Sequence, residues 1–223
     1  LLNEGMSLSQ FKIIFYWEYI HRFLGRLIGI FFLIPLLYFS FKKEVDKKNL
    51  LVFYLIFFLI TTQGIIGWYM VQSGLVNNVT VSHYRLSLHL SLAFIIISLI
   101  FWILLNIKNK TNVNFFLRKK QSYIFYFLIF LVYLQVVIGA FVSGLDAGKI
   151  YQTWPLMGNS FFPNDLDIEN LTNALELKNH SLVQFYHRNL AYIITIYVFL
   201  LTFFIFKNKI LDLFLPILIL IFF

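Results

Sequence analysis

The sequence predicts an all-α, polytopic transmembrane helix bundle. Three observations predict it: a composition too apolar for water, a series of apolar runs of spanning length, and connectors whose charge alternates from run to run. Of the 223 residues, 60% are hydrophobic, 20% aromatic and only 13% charged. A soluble domain is about 45–50% apolar and about 25% charged, and it still needs a polar surface. Lipid therefore has to solvate much of this chain. The net charge of +8 does not point to nucleic acid, because most lysines sit in short clusters between apolar runs. Cysteine is absent, which excludes disulfides, thiolate metal sites and thiol catalysis.

A spanning helix needs roughly 20 apolar residues. Six segments reach or approach that length: 17–39, 50–71, 83–106, 121–143, 181–206 and a last one from 209. Helices are expected because lipid tolerates no open sheet edge, and the runs are too long and too continuously apolar for barrel strands. No signal peptide is expected, since no basic stretch leads into a cleavage site. The first residue is Leu1, and an apolar run, Leu211 to Phe223, occupies the other end. Both ends are read as truncated.

The connectors set the orientation. The first run leads to Lys42, Lys43, Lys47 and Lys48, the third to Lys108, Lys110, Arg118, Lys119 and Lys120, and the fifth to Lys207 and Lys209. Residues 72–82 hold no Lys or Arg, and residues 145–180 hold Lys149 and Lys178 against Asp146, Asp165, Asp167, Glu169 and Glu176. The positive-inside rule places the lysine-rich loops in the cytoplasm, or in an organelle matrix. The 145–180 loop then lies outside.

Charge inside a span costs about 2.5–3.5 kcal/mol per residue at the helix centre and so marks function. In the first run Glu18, His21, Arg22, Gly25, Arg26 and Gly29 follow helical spacing and form one stripe, polar and then small. Such a stripe lets a flat, bulky group lie against the backbone. The fifth run repeats it with Gln184, His187, Arg188, Ala191, Tyr192 and Thr195, at an offset of about 166 residues. The third run adds Arg85 and His89, one turn apart. Counted from the expected helix starts, His21, His89 and His187 each lie a turn or two in, hence at similar depth on the outer side. Two imidazoles facing across a bundle can ligate a haem iron axially, and Arg22, Arg85 and Arg188 can pair with propionates. A single intramembrane histidine more often packs or hydrogen-bonds than ligates. Three at one depth, two of them in a repeated stripe, favour ligation. His83 and His180 read as interfacial residues.

Gln63 to Gly67 and Gln135 to Gly139 share a Gln-x-x-x-Gly pattern, each followed by Ser-Gly-Leu at 73–75 and 143–145. These read as close helix packing through small residues, ahead of direct substrate contact.

Six stretches together resemble the haem A synthase family. They are Glu18 to Gly29, Gln63 to Leu75, Tyr84 to Leu90, Gln135 to Gly148, Thr153 to Gly158 and Val183 to Arg188. The likeness covers almost the whole chain in order and is nearest to the alphaproteobacterial and mitochondrial branch. It implies eight helices in two pseudo-symmetric four-helix halves, each with two facing histidines. Residues 1–110 then form the substrate-haem half, without the family's first helix. Residues 111–223 form the haem b half, without its last. The implied activity oxidises the C8 methyl of haem O to the formyl of haem A for cytochrome oxidase assembly. Glu18, His21 and His89 map to the substrate half and His187 to the haem b half, its partner histidine lying beyond Phe223. Glu18 is expected to be catalytic and Gln184 is not, because an amide neither stabilises developing positive charge nor accepts a proton. Implied partners are membrane lipid, a haem O synthase, a ferredoxin-like or other electron donor and a second copy in a homo-oligomer, with no nucleic acid. The implied location is the bacterial inner membrane, or the mitochondrial one. Two positions depart from the pattern: His83 stands where glutamine is expected, and Tyr186 where a small polar or acidic residue is common.

Two other readings compete. A di-haem b electron-transfer subunit would keep the histidines and need no Glu18. A transporter would place its polar stripes at broken helices near the midplane, whereas these lie toward one side.

Overall fold

A computed structural model describes residues 5–74, 81–110, 123–166 and 176–208. The described residues are all-α apart from one isolated bridge between Met157 and Ser160. The order is α1 (Leu8–Lys42), α2 (Lys47–Gly74), α3 (His83–Lys108), α4 (Tyr123–Gly144), a single 3-10 turn (Ala147–Lys149) and α5 (His180–Lys207). All five α-helices are long and apolar enough to cross a bilayer, and the protein is a multi-pass membrane protein. The sixth expected span, from 209, lies outside the described residues.

Four helices match the expected spans to within three residues at either end. The first does not: α1 begins at Leu8 rather than near 17. Its start is a capping box, in which the Ser7 side chain accepts from the Gln10 backbone N–H and the Gln10 side chain accepts from the Ser7 N–H. A reciprocal cap satisfies two orphan donors and starts a helix wherever it falls, inside or outside the apolar run. At the far end Lys43 adopts a left-handed φ of 55° and stops α1, and the Asp46 carboxylate receives the Asn49 N–H to open α2. Asn179 caps α5 in the same way through the Leu182 N–H.

The chain divides into two compact units, Leu1–Asn112 and Val113–Phe223. In the first, α1 packs on α2 and α2 on α3; in the second, α4 packs on α5. The core of the first unit lies toward the lysine-bearing helix ends, whereas the second unit is buried at both ends, with Phe141, Met157, Leu182 and Val183 at the end away from Lys207. Ile56, Ile96 and Ile103 are buried under Phe32, Val52, Leu59 and Trp102 in the first unit. Leu201 and Ile205 are buried against Ile124, Phe125 and Leu128 in the second, where the Tyr197 hydroxyl also donates to the Ile124 carbonyl. Large apolar side chains such as Phe31 and Phe58 stay exposed, as expected where lipid takes the place of a packed neighbour. The opposite half of α1 is different: every residue from Ser7 to Arg26 is exposed, whereas Leu36 further along is buried.

Candidate functional site

Because α1 starts early, His21 stands more than three turns past Leu8, not the one or two expected. The other helix end gives the better ruler. Counted back from Lys42, Lys108 and Lys207, the last residues of their helices, His21, His89 and His187 stand 21, 19 and 20 residues away. At 1.5 Å per residue each histidine is about 30 Å from the lysine that closes its helix, which is about the thickness of the hydrocarbon core.

In the first unit, His21 lies on the exposed half of α1 and His89 on α3, within electrostatic reach of each other. Glu18 is one turn from His21, and the Arg22 guanidinium donates to its carboxylate at 3.1 Å. In water an i,i+4 pair of this kind contributes about 0.3–0.5 kcal/mol. That is far below the insertion cost of its two charges, so stability does not explain why both groups are there. Arg26 follows one turn later, also exposed. Arg85, one turn before His89, donates to the Tyr69 carbonyl at 2.7 Å and lies over the Tyr69 ring, 3.6 Å from its centroid.

His89 is seated on α2. Its Cε1 edge rests on Gly67, where a Cβ would stand 2.9 Å from Cε1, and the Gln63 amide donates to the His89 carbonyl at 3.0 Å. His187 is seated on α4 in the same way. A Cβ at Gly139 would stand 3.1 Å from its Cε1, and the Gln135 amide donates to the His187 carbonyl at 3.2 Å. The close packing read from these glycines is therefore real, but its partner is an imidazole. The recurrence of Gln-x-x-x-Gly was the signal; its partners lie 26 and 52 residues along the chain and are visible only once the helices pair.

Around His187 the polar neighbours hold a loop. Gln184 is buried, donates to the Tyr151 carbonyl at 2.8 Å and accepts from the Tyr151 N–H at 3.2 Å. Arg188 donates to the Thr153 carbonyl at 2.7 Å and to the Tyr151 carbonyl at 2.6 Å. The Tyr151 hydroxyl and the Ser181 hydroxyl each donate to Asp165 at 2.6 Å. Sequence reasoning missed this clamp entirely. Gly158 takes a φ of +77°, which favours glycine, and its N–H donates to Thr153 Oγ1. Met157 is buried beneath the turn. His180 is exposed, and the His83 ring packs against Tyr84 with centroids 4.2 Å apart.

The clamp titrates at both ends. Burial opposes the Asp165 charge, but the Ser181 and Tyr151 hydrogen bonds outweigh it and hold the carboxyl below its usual range. The same bond to Asp165, helped by burial, raises the Tyr151 phenol. A lowered acid adds stability above its unfolded pKa of about 3.9 and loses it as pH falls through the folded value; the raised phenol adds stability below about 10 and loses it as pH rises through its folded value. Amide protection factors in 151–165, with the intrinsic pH dependence of exchange divided out, should therefore be largest between these limits and fall at both, and Asp165→Asn should remove most of the acid limb. Protection factors in 151–165 that stay flat from about pH 3 to 6 contradict this, those bounds being set by the carboxylate range.

Comparison with known proteins is decisive on kinship. The profile of a family described as cytochrome oxidase assembly protein matches residues 1–221. The chain belongs to that family. Among similar proteins, the heme A synthase of Pelagibacter ubique (strain HTCC1062) is 49% identical over 210 residues, covering 93% of this chain and 61% of that protein. The heme A synthase of Rickettsia felis is 41% identical over 193 residues, covering 84% of this chain and 56% of that protein. That of Parvibaculum lavamentivorans is 40% identical over 200 residues, covering 89% and 57%. The chain thus spans about three-fifths of the length of these family members. No solved structure matches it.

Proposed function

We propose that the protein is a haem A synthase that oxidises the C8 methyl of haem O to a formyl group, giving haem A for cytochrome oxidase. Kinship with proteins named heme A synthase supports this. The observation that carries it is local: His21 on the exposed half of α1 and His89 on α3 are close enough for their charges to interact, with the Glu18 carboxylate one turn from His21.

The donor set fits a haem. Imidazoles are the usual axial ligands, and the glycine seats under His89 and His187 would be filled by any Cβ. The stripe of α1 offers the exposed Gly25 and the half-buried Gly29, at neither of which a Cβ would meet another atom within 4 Å. On this reading His21 and His89 hold the substrate haem O, and Arg22 and Arg85 pair with its propionates through their remaining N–H donors. The conversion removes four electrons and adds one oxygen atom, so it needs an external oxidant and water or dioxygen as oxygen source; Glu18 accepts a proton as the methyl is oxidised, or stabilises the positive charge that develops. His187 holds a haem b, with Arg188 toward its propionates. That haem supplies one-electron transfer when bound.

The two compact units correspond, in this proposal, to the two pseudo-symmetric four-helix halves, and the lysine-closed helix ends face the bacterial cytoplasm. A haem O synthase supplies the substrate, and a ferredoxin-like or other electron donor serves the reaction; a homo-oligomer belongs to the same reading. The test is extraction of haem from the purified protein supplied with haem O, followed by mass analysis. Haem A or its hydroxylated precursor is the expected product. Recovery of unmodified haem b alone, with supplied haem O returned unchanged, would sink the proposal and leave a di-haem electron-transfer subunit.

A further inference from the structure

The chemistry proposed above makes no use of the Gln-x-x-x-Gly runs of α2 and α4, yet each run meets a histidine in the same manner. We infer that Gln63 with Gly67, and Gln135 with Gly139, are positioning pairs that fix the pose of His89 and His187 for axial ligation. The inference rests on the haem reading and deepens it.

The physical case has three parts. First, the glycine decides how close the ring comes. A Cβ at position 67 would stand 2.9 Å from Cε1, 3.5 Å from Nδ1 and 3.7 Å from Nε2 of His89; at 139 the corresponding distances to His187 are 3.1, 3.6 and 4.0 Å. Both rings turn the same edge to the glycine, and Nε2 is the most distant of these three atoms. Nδ1 is buried on both rings, with no hydrogen-bond partner among the described residues. Nε2 is then the nitrogen left to face a ligand. Second, the glutamine pins the backbone from which the ring hangs, since its amide donates to the histidine's own carbonyl in both units. Third, Gln135 Nε2 also lies 3.4 Å from His187 Nε2. Before any ligand binds, an N–H donor there selects the tautomer whose Nε2 carries the lone pair; a metal at Nε2 would take the place of that contact, leaving the Gln135 bond to the His187 carbonyl as the tie that orients the ring. Losing a group that orients a ligating histidine typically costs about 10–100-fold in metal affinity.

The test compares two glycines of one helix. A Cβ at Gly64 meets nothing within 4 Å, so Gly64→Ala only improves helix propensity, and Gly67→Ala improves it equally. Only the second displaces a ring, and the displaced atoms are the end of a side chain, so the helix is retained. In the haem-loaded protein, Gly67→Ala and Gln63→Leu are expected to weaken haem binding roughly 10-fold and to shift the low-spin electron paramagnetic resonance signal of that haem. Gly64→Ala should leave both unchanged, and circular dichroism should show equal helix in all. Gly139→Ala and Gln135→Leu should shift the signal of the other haem alone. If His89→Ala abolishes the low-spin signal while Gly67→Ala and Gln63→Leu match Gly64→Ala, the positioning role is refuted and the haem reading survives. If His89→Ala itself leaves the signal intact, both fall.

Discussion

On the proposed haem site, substituting His89 with alanine is expected to cost the first unit its haem. Loss of a partner that merely orients a metal ligand costs roughly 10–100-fold in affinity, and loss of the ligand itself should exceed that. His21→Ala should behave alike, because in the proposal both imidazoles would hold that haem. The measurement is the haem-to-protein ratio together with the Soret spectrum of the purified protein. His83→Ala and His180→Ala provide the contrast. The His83 ring packs on Tyr84 and His180 is exposed at the head of α5, so neither should change the ratio. Loss of haem in His83→Ala with retention in His89→Ala would transfer the ligand role to the residue that departs from the family pattern.

Glu18→Gln separates binding from chemistry. The side chain keeps its shape and can still meet Arg22 through its carbonyl oxygen, so haem content should stay at the wild-type level. Haem A output should fall by about 10²–10⁴-fold, the usual contribution of a positioned acid or base, and haem O should accumulate. Wild-type output from this variant would remove Glu18 from the mechanism. Gln184 shows why the two positions differ despite the repeat. Glu18 is exposed, one turn from a histidine that faces open space, whereas Gln184 is buried and committed to the Tyr151 backbone. Its amide both donates and accepts there, which a carboxylate cannot do.

Much of the fold was legible because the bilayer imposes one length scale. Apolar runs of that length become helices, and four of them ended where the hydrophobicity did. The start of α1 escaped because it depends on a local polar device, Ser7 with Gln10, and not on apolar length. That error carried into the depth argument, which took helix starts as the membrane boundary. Lysines mark the boundary better, since a charged ammonium stays at the interface, and the distances from Lys42, Lys108 and Lys207 agree. At the site, residue types were legible but partners were not. Arg188 reads in sequence as a cation awaiting a carboxylate, and the nearest acceptors prove to be carbonyls of a loop 35 and 37 residues away. Gln63 and Gln135 read as packing residues because nothing local says which neighbouring helix each will meet.

The clamp around α5 has a thermodynamic consequence. Gln184 and Arg188 bracket His187, and both are tied to the 151–153 backbone, so that turn of helix surrendered its freedom when the chain folded. His21 belongs to a helical stretch exposed from Ser7 to Arg26, and no hydrogen bond from Glu18 or Arg22, which bond to each other, ties that turn to another element among the described residues. On the proposed reading, a porphyrin held at His187 would find the turn of α5 already tied while one held at His21 would have more side-chain freedom to remove, so at equal contact area the entropic penalty of association is larger at His21. The two sites should accordingly differ in the temperature dependence of their occupancy, with the α1 site emptying first on warming.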